Sequence, residues 1–180
     1  MTRFVMVIDT RTCIGCGDCV VACKTENNVP EGLNRDWVVE ATSGTYPDLK
    51  TEFRSERCNH CSNPTCVTLC PTGASHLWND TNIVLVEPEK CTGCKACIAA
   101  CPYDARLVMH PDGYIDKCTF CHHRVEQGLD PACVSTCPTG CMHFGSLDDP
   151  HSKVSQLLKT RDHKVLKPET GNEPNVYYLT

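Results

Sequence analysis

The sequence predicts an α+β protein whose short helices and strand pairs are held together through cysteine. The first observation behind this prediction is composition: 17 of the 180 residues are cysteine, and the remaining apolar content is thin for a chain of this length. The second is that the cysteines recur in four spaced groups. The third is that brief apolar runs bounded by turn residues lie between the groups, a pattern typical of short strands and hairpins.

The cysteine spacing favours metal ligation over disulfide bridges. Most cysteines lie only two or three residues from the next, and their total is odd. Such close neighbours seldom form structural disulfides, because a bridge requires Cβ vectors that face each other. Metal ligation suits the spacing, and the fold is then expected to depend on the bound metal.

The four groups are variations on one motif. All of them begin C-x2-C and end C-x3-C, and only the middle gap varies, from two residues to eleven. An internal repeat of this kind outranks any single local match. The groups are Cys13, Cys16, Cys19 and Cys23; Cys58, Cys61, Cys66 and Cys70; Cys91, Cys94, Cys97 and Cys101; and Cys118, Cys121, Cys133 and Cys137.

The first and third groups have the spacing C-x2-C-x2-C-x3-C. This spacing is the signature of [4Fe–4S] ferredoxins, in which the fourth cysteine ligates the other cluster of a pair. Three cysteines on tight turns bind one cluster, and Gly15, Gly17 and Gly93 let the backbone approach it closely. The fourth follows on a short helix that carries it toward the second cluster. Sixteen cysteines thus supply four [4Fe–4S] clusters with no ligand missing, and the remaining Cys141 is expected to be a small buried hydrophobe.

The fourth group has two other interpretations. Its opening letters, C-T-F-C-H from Cys118 to His122, match the attachment signature of a c-type haem. Two cysteine pairs with a spacer also suggest a structural zinc site. Either choice removes ligands from a set that otherwise balances, so we interpret the eleven-residue gap as an insertion. Lengthening the loop costs roughly 1.5 kcal/mol, against on the order of 10 kcal/mol from a structural metal site.

The first third of the chain is predicted to contain two strands, one short helix and a linker. Residues 4–9 alternate too little to face water and predict a buried strand. Residues 18–27 predict a short helix that carries Cys19 and Cys23. Residues 28–53 are predicted as a linker with one strand at 37–41 and a turn near 44–47.

Two hairpins and one helix are predicted further along. Residues 76–78 and 83–86 form the first hairpin, across the turn letters NDTN. Residues 107–109 and 114–116 form the second, across HPDG. A helix at about 152–159 then leads into extended segments that end in NVYYL.

These elements predict two ferredoxin-like double-cluster modules. Spacing alone does not decide which groups pair, but the short connection between Cys70 and Cys91 favours pairing the second group with the third. The middle module is then inserted in the outer one. The predicted parts are an outer module at 1–50 and 106–145, an inserted module at 51–105, and a C-terminal tail at 146–180.

Charge and hydropathy exclude several functions. The net charge is −5 with no basic patch, so nucleic acid is not an expected partner. No apolar stretch approaches the roughly 18 residues of a spanning helix, so membrane attachment is expected through a partner. The sequence contains no nucleophile–base pair of the kind that would indicate a catalytic site. Lysines beside ligand cysteines are either solvated or tune the cluster potentials; they are Lys24, Lys90, Lys95 and Lys117.

Four segments resemble the four-cluster electron-transfer subunit of molybdopterin oxidoreductases, of the polysulfide, thiosulfate, tetrathionate and arsenate reductase type. They are IDTRTCIGCGDCVVACKTENNVP, CNHCSNPTCVTLCPTGAS, KCTGCKACIAACPYDAR and DKCTFCHHRVEQGLDPACVSTCPTG, and the resemblance extends into the tail. It implies that groups one and four pair, as do groups two and three. Some relatives have Trp at the second cysteine of group three, whereas this chain has Cys94, so four [4Fe–4S] clusters are expected.

With that pairing, each cluster takes three cysteines from one group and one from its partner group. The expected ligand sets, each called by its first cysteine, are Cys13, Cys16, Cys19 and Cys137; Cys23, Cys118, Cys121 and Cys133; Cys58, Cys61, Cys66 and Cys101; and Cys70, Cys91, Cys94 and Cys97.

The resemblance implies a non-catalytic subunit that relays electrons between a molybdenum or tungsten catalytic subunit and a membrane quinone-reactive subunit. From the catalytic side to the membrane side, the expected order is the Cys13 set, the Cys23 set, the Cys58 set and the Cys70 set. The Cys70 set is the one that contains Cys91. Residues 15–18 are expected to dock the catalytic chain and residues 92–95 the membrane chain. The expected location is the membrane periphery, on the periplasmic face by co-export or on the cytoplasmic face. The alternative is a free-standing polyferredoxin. The long linker and tail favour the subunit, because ligation of the clusters does not require them.

Overall fold

Short strands and short helices alternate along the whole chain. The computed structural model describes residues 2–180. Its strands are β1 (Phe4–Asp9), β2 (Asp36–Thr45), β3 (Asp48–Arg57), β4 (Ser75–Leu77), β5 (Val84–Val86), β6 (Leu107–Val108), β7 (Ile115–Asp116), β8 (Met142–Ser146), β9 (His163–Lys164) and β10 (Val176–Leu179). Its α-helices are α1 (Asp18–Glu26), α2 (Thr65–Thr68), α3 (Ala96–Ala99), α4 (His122–Val125), α5 (Ala132–Ser135) and α6 (Lys153–Thr160). This mixture agrees with the predicted α+β class.

The first strand is the centre of a four-stranded sheet. β1 pairs in parallel with β10 and antiparallel with β8, and β9 pairs with the far edge of β10. Met6 and Ile8 face the cysteine-containing core, whereas Val5 and Val7 pack toward α6. All four side chains are fully buried. The strand is therefore covered on both faces, as its unbroken apolar run predicts.

The predicted tail helix is confirmed with a shift of one residue. α6 begins after Ser152, whose Oγ accepts the backbone N–H of Ser155 at 3.2 Å. This bond satisfies one of the free N–H groups at the helix start. Val154 projects from α6 into the apolar cluster with Val5 and Val7. The tail thus covers one face of the sheet through α6, and it also supplies two of the four strands, β9 and β10.

The prediction of a linker over residues 28–53 is wrong in one respect. The structure has a long hairpin there, in which β2 and β3 are ten residues each and pair in register from Asp36 opposite Arg57 to Thr45 opposite Asp48. The turn lies where the sequence predicts it. The strand β3 escapes prediction because its buried positions, Ser55 and Arg57, are polar, so its alternation does not appear as a hydrophobic period.

The shorter predicted elements are confirmed. β4 pairs with β5 and β6 with β7, each as an antiparallel hairpin. Helices α2, α3 and α5 are single turns of four residues, and each carries the third cysteine of its group. The eleven-residue insertion of the fourth group contains α4. These single-turn helices bring the C-x3-C ends of the groups toward neighbouring motifs.

Candidate iron–sulfur centres

The first cavity is lined by the cysteines of the Cys13 set. Three of them come from the loop before α1 and from its first turn, and the fourth, Cys137, comes from the end of the last motif. Gly15 lies in this loop with a φ of +69°, and a Cβ there would lie 2.6 Å from the ring of Phe53. The hairpin contributes to the wall of this cavity through Val38 on β2 and Ser55 on β3, so the strand that was not predicted helps to form the site.

The second cavity is lined by the cysteines of the Cys58 set. Three come from the segment that links β3 to α2 and from α2 itself, and Cys101 comes from the end of the third motif. Tyr103 and Arg106 also contribute to the wall. Burial raises the pKa of the Cys61 thiol to about 12, and the neighbouring sulfurs of Cys58 and Cys66 add to the shift.

The third cavity is lined by the cysteines of the Cys70 set. Two backbone N–H groups donate to its sulfurs: Ser75 to Cys70 at 3.3 Å and Ile115 to Cys91 at 3.5 Å. Gly93 has a φ of +64°, and a Cβ there would lie 2.6 Å from the carbonyl oxygen of Gly113. The loop between Cys91 and Cys94 thus requires glycine for both conformation and space.

The four cysteines of the Cys23 set lie together and are all buried. Asn27 Nδ2 lies 3.8 Å from the sulfurs of both Cys23 and Cys121. Burial raises the pKa of Cys23 to about 12, and the charges of Asp36 and Cys133 add to the shift. Cys118 and Cys121, which resemble a haem attachment pair in isolation, therefore stand beside sulfurs from two other segments.

The thiol sets fit iron–sulfur clusters in their donor chemistry. All 17 cysteines lie within the described residues, and each is a free thiol. Burial raises the pKa of Cys133 to about 11, so a bound metal must supply the charge that displaces the proton of this thiol. Backbone N–H groups that point at sulfur, such as Phe120 to Cys118 at 3.4 Å, match the hydrogen bonds that cluster thiolates accept.

Buried charged residues beside the sulfurs were not identified from the sequence. Arg57 and Asp36 form an ion pair at 2.8 Å with both side chains almost fully buried. Arg106 is buried as well, and its Nη1 has no hydrogen-bond partner among residues 2–180. The available signal was position alone, since Arg57 directly precedes Cys58. Of the four lysines beside ligand cysteines, Lys117 is buried, whereas Lys90 is exposed.

Cys141 lies beside a ligand set. It is buried, lines the first cavity, and places its sulfur 3.4 Å from that of Cys137. Cys141 is therefore buried, as expected, and it also contacts a predicted ligand.

His122, the last letter of the haem-like signature, packs edge-on against Trp78 with ring centroids 5.7 Å apart.

The fold and the thiol sets together define an iron–sulfur protein, and two family matches agree. One 4Fe-4S dicluster domain family matches residues 49–147, and another matches residues 12–74. The chain is 37% identical to the arsenate respiratory reductase iron–sulfur subunit ArrB of Shewanella sp. (strain ANA-3), across 98% of this chain and 96% of that protein. It is 44% identical to a tetrathionate reductase subunit of Salmonella typhimurium, across 98% of this chain and 72% of that protein.

A third relative is protein NrfC of Escherichia coli (strain K12), which is 43% identical across 97% of this chain and 79% of that protein. The chain therefore belongs to the 4Fe-4S dicluster family, among the iron–sulfur reductase subunits that the sequence resemblance indicated. Within residues 2–180, no helix has the length and apolar character needed to span a membrane.

Proposed function

We propose that this chain relays electrons through four [4Fe–4S] clusters between a molybdopterin catalytic subunit and a membrane quinone-reactive subunit. The proposal rests chiefly on one observation: cysteines distant in sequence come together in fours, three of these sets around cavities. Each cluster, when bound, supplies reversible one-electron transfer. The chain itself supplies the thiols, the N–H donors and a poorly hydrated surrounding.

The ligand sets are those that the motif pairing predicts. The composition of the three cavity walls supports three of them. The position of Asn27 Nδ2, 3.8 Å from the sulfurs of both Cys23 and Cys121, supports the fourth. The same pairing makes residues 51–105 a module inserted between the two halves of an outer module, with the 146–180 tail joined to the outer part through the β1–β10 pairing.

Exposure supports the order of the sets along the molecule. Cys16 and Cys94 are exposed, and they belong to the Cys13 set and the Cys70 set respectively. The Cys23 set is buried throughout. The first and last sets are thus the points of exchange with partners. Residues 15–18 face the catalytic subunit, and residues 92–95 face the membrane subunit.

The partners follow from the relatives. Their names assign them to arsenate and tetrathionate reductases, so the proposed catalytic partner is a molybdenum or tungsten reductase of an oxyanion or sulfur compound. The subunit is peripheral to the membrane and held there by its partners. A free-standing polyferredoxin is less well supported, since the alignment with reductase subunits extends over nearly the whole chain.

The function can be tested on protein isolated anaerobically from its native host. We expect about 16 iron and 16 acid-labile sulfide per chain, broad brown absorbance, and co-purification with a subunit that contains molybdenum or tungsten. Stoichiometric zinc, or haem linked to Cys118 and Cys121, would overturn the cofactor assignment. Isolation of a four-cluster monomer without partners would favour the polyferredoxin.

A further inference from the structure

Three cations are buried among the thiol sets. Arg57 and Lys117 are each 1% exposed and Arg106 is 7% exposed. A buried charge is costly unless an opposite charge lies nearby. The position of each cation therefore indicates where negative charge resides in the assembled protein.

Arg57 lies between the Cys13 and Cys23 sets. Its Nη1 donates to the sulfur of Cys133 at 3.0 Å, and its Nη2 donates to the hydroxyl of Ser55. That hydroxyl lies 3.4 Å from the sulfur of Cys19. The guanidinium therefore reaches a ligand of one set directly and a ligand of the other through a single hydroxyl. Asp36 pairs with it at 2.8 Å, so this gap carries little net charge.

Arg106 lies between the Cys58 and Cys70 sets. Its side chain contributes to the walls of both cavities. Its Nη2 donates to Ser75 Oγ at 2.8 Å, and the backbone N–H of Ser75 donates to Cys70. The sulfurs of Cys66 and Cys97, one from each set, interact with its charge. The unpartnered Nη1 is a buried donor that a cluster sulfide would satisfy.

Lys117 lies between the Cys23 and Cys58 sets. Its Nζ donates to the carbonyl oxygens of Val84 and Cys118, the second at 2.7 Å. The sulfurs that act most strongly on its charge are those of Cys58 and Cys118, again one from each set. In contrast with Arg57, neither Lys117 nor Arg106 forms an ion pair with a carboxylate among residues 2–180. The groups of opposite charge nearest to them are cysteine sulfurs, once these are thiolates.

We propose that Arg57, Lys117 and Arg106 form a series in which one buried cation occupies each gap between successive clusters, and that Lys117 and Arg106 raise the reduction potentials on both sides of their gaps. Reduction adds a negative charge to a cluster, and a nearby buried cation stabilises that charge with little solvent screening. Because Asp36 compensates Arg57, the Cys58 set, which adjoins both uncompensated cations, receives the largest positive shift. This inference rests on the ligand sets proposed above.

The test is an EPR-monitored redox titration of the holo-protein that yields four midpoint potentials. Lys117→Met and Arg106→Met should each lower two of the four midpoints. We expect each shift to correspond to at least a tenfold change in the reduction equilibrium, which is about 59 mV for one electron. Arg106→Lys, which keeps the charge, should leave the midpoints near their original values. Lys90→Met is the matched control, because this lysine also adjoins a ligand cysteine but its side chain is 59% exposed.

The double variant tests the series without assigning any midpoint in advance. Lys117→Met and Arg106→Met should have a single affected midpoint in common, that of the Cys58 set. The double variant should therefore lower three midpoints, one of them by the sum of both shifts, and leave the fourth unchanged. Iron content separates the two levels of inference, since fewer than four clusters in the unmodified protein would overturn the ligand sets themselves.

Two results would overturn the proposed role of the cations while leaving the four-cluster function intact. One is a set of midpoints that does not move in either methionine variant although all four clusters are present. The other is an equal shift in Arg106→Lys and Arg106→Met, which would make the role of this side chain one of shape. If a methionine variant loses a cluster, Lys117→Arg and Arg106→Lys must hold all four clusters at unshifted midpoints; a shift in them contradicts the proposal.

Discussion

The sulfur of Cys141 lies 3.4 Å from the sulfur of Cys137, within the wall of the first cavity. Cys137 is a thiolate when it binds iron and then only accepts hydrogen bonds, so Cys141 is the donor of this pair. In the proposed ligand sets, Cys141 thus supports a ligand without being one. Hydrogen bonds to cluster sulfurs stabilise the reduced state.

Cys141→Ala should retain all four clusters and lower the midpoint of one of them, because the Cys13 set loses one S–H donor. Cys141→Ser should restore most of that midpoint, since a hydroxyl can donate to the same sulfur. Iron analysis and EPR titration measure the two effects. Loss of about four iron per chain in the alanine variant would instead identify Cys141 as a ligand.

Gly93 and Gly73 offer a matched pair of substitutions. Both have a left-handed φ, +64° and +68°, but only at Gly93 would a Cβ meet backbone, 2.6 Å from the carbonyl oxygen of Gly113. Gly73→Ala should cost only the left-handed penalty of about 1–2 kcal/mol. Gly93→Ala should in addition displace the loop between Cys91 and Cys94, with iron content falling toward about three clusters per chain. Equal iron content in the two variants would refute the close approach as the reason for Gly93.

The sequence predicted those parts of the fold that cluster ligation dictates. Single-turn helices and hairpins follow from the C-x3-C spacing and from turn residues, both of which are local signals. The β1–β10 pairing joins the two ends of the chain, and no local pattern indicates such a contact. The four ligand sets follow from the motif pairing and stay a prediction that an experiment on the holo-protein must test; the cysteines of three of them line cavities.

Polar burial accounts for the main omissions. β3 turns Ser55 and Arg57 inward, where a strand pattern would show apolar side chains. Arg106 was missed for the same reason, since charged residues in a sequence are ordinarily assigned to the surface. Lys117 was named beside its ligand cysteine, but its burial was not predicted. Negative charge on the thiolates of the proposed clusters would offset the cost of burying these cations. A bound cluster would thus explain why these charged residues are buried, and a hydrophobicity pattern carries no signal of that cluster.

Removing only one partner of the Asp36–Arg57 ion pair should lower the free energy of unfolding more than replacing both partners. Asp36→Asn leaves the guanidinium buried without its carboxylate, which typically costs about 3–5 kcal/mol. The double variant Asp36→Asn with Arg57→Met should recover part of that loss. Denaturant midpoints of the holo-protein measure both, with Glu31→Gln at an exposed carboxylate as the control. Additive losses in the double variant would show that the two side chains do not act as a pair.

The proposed direction through the molecule can be tested at its two exposed ends. Ile14 directly precedes the surface at 15–18 and is 60% exposed, and Thr92 is exposed within the surface at 92–95. Each also borders a proposed cluster cavity, so iron content is measured in both variants before their electron exchange is compared. Ile14→Arg introduces a charge into the surface proposed to face the catalytic subunit, where its desolvation opposes docking. It should slow electron exchange with that subunit while exchange with quinol through the membrane subunit remains.

Thr92→Arg should give the opposite pattern, because it changes the surface proposed to face the membrane subunit. Both variants are measured in the reconstituted complex by stopped-flow reduction, once with quinol as donor and once with the substrate of the catalytic subunit as acceptor. Iron content and the four midpoints serve as controls for intact clusters. If Ile14→Arg blocks only the quinol reaction and Thr92→Arg blocks only the catalytic reaction, the order of the sets must be reversed, with the Cys70 set next to the catalytic chain.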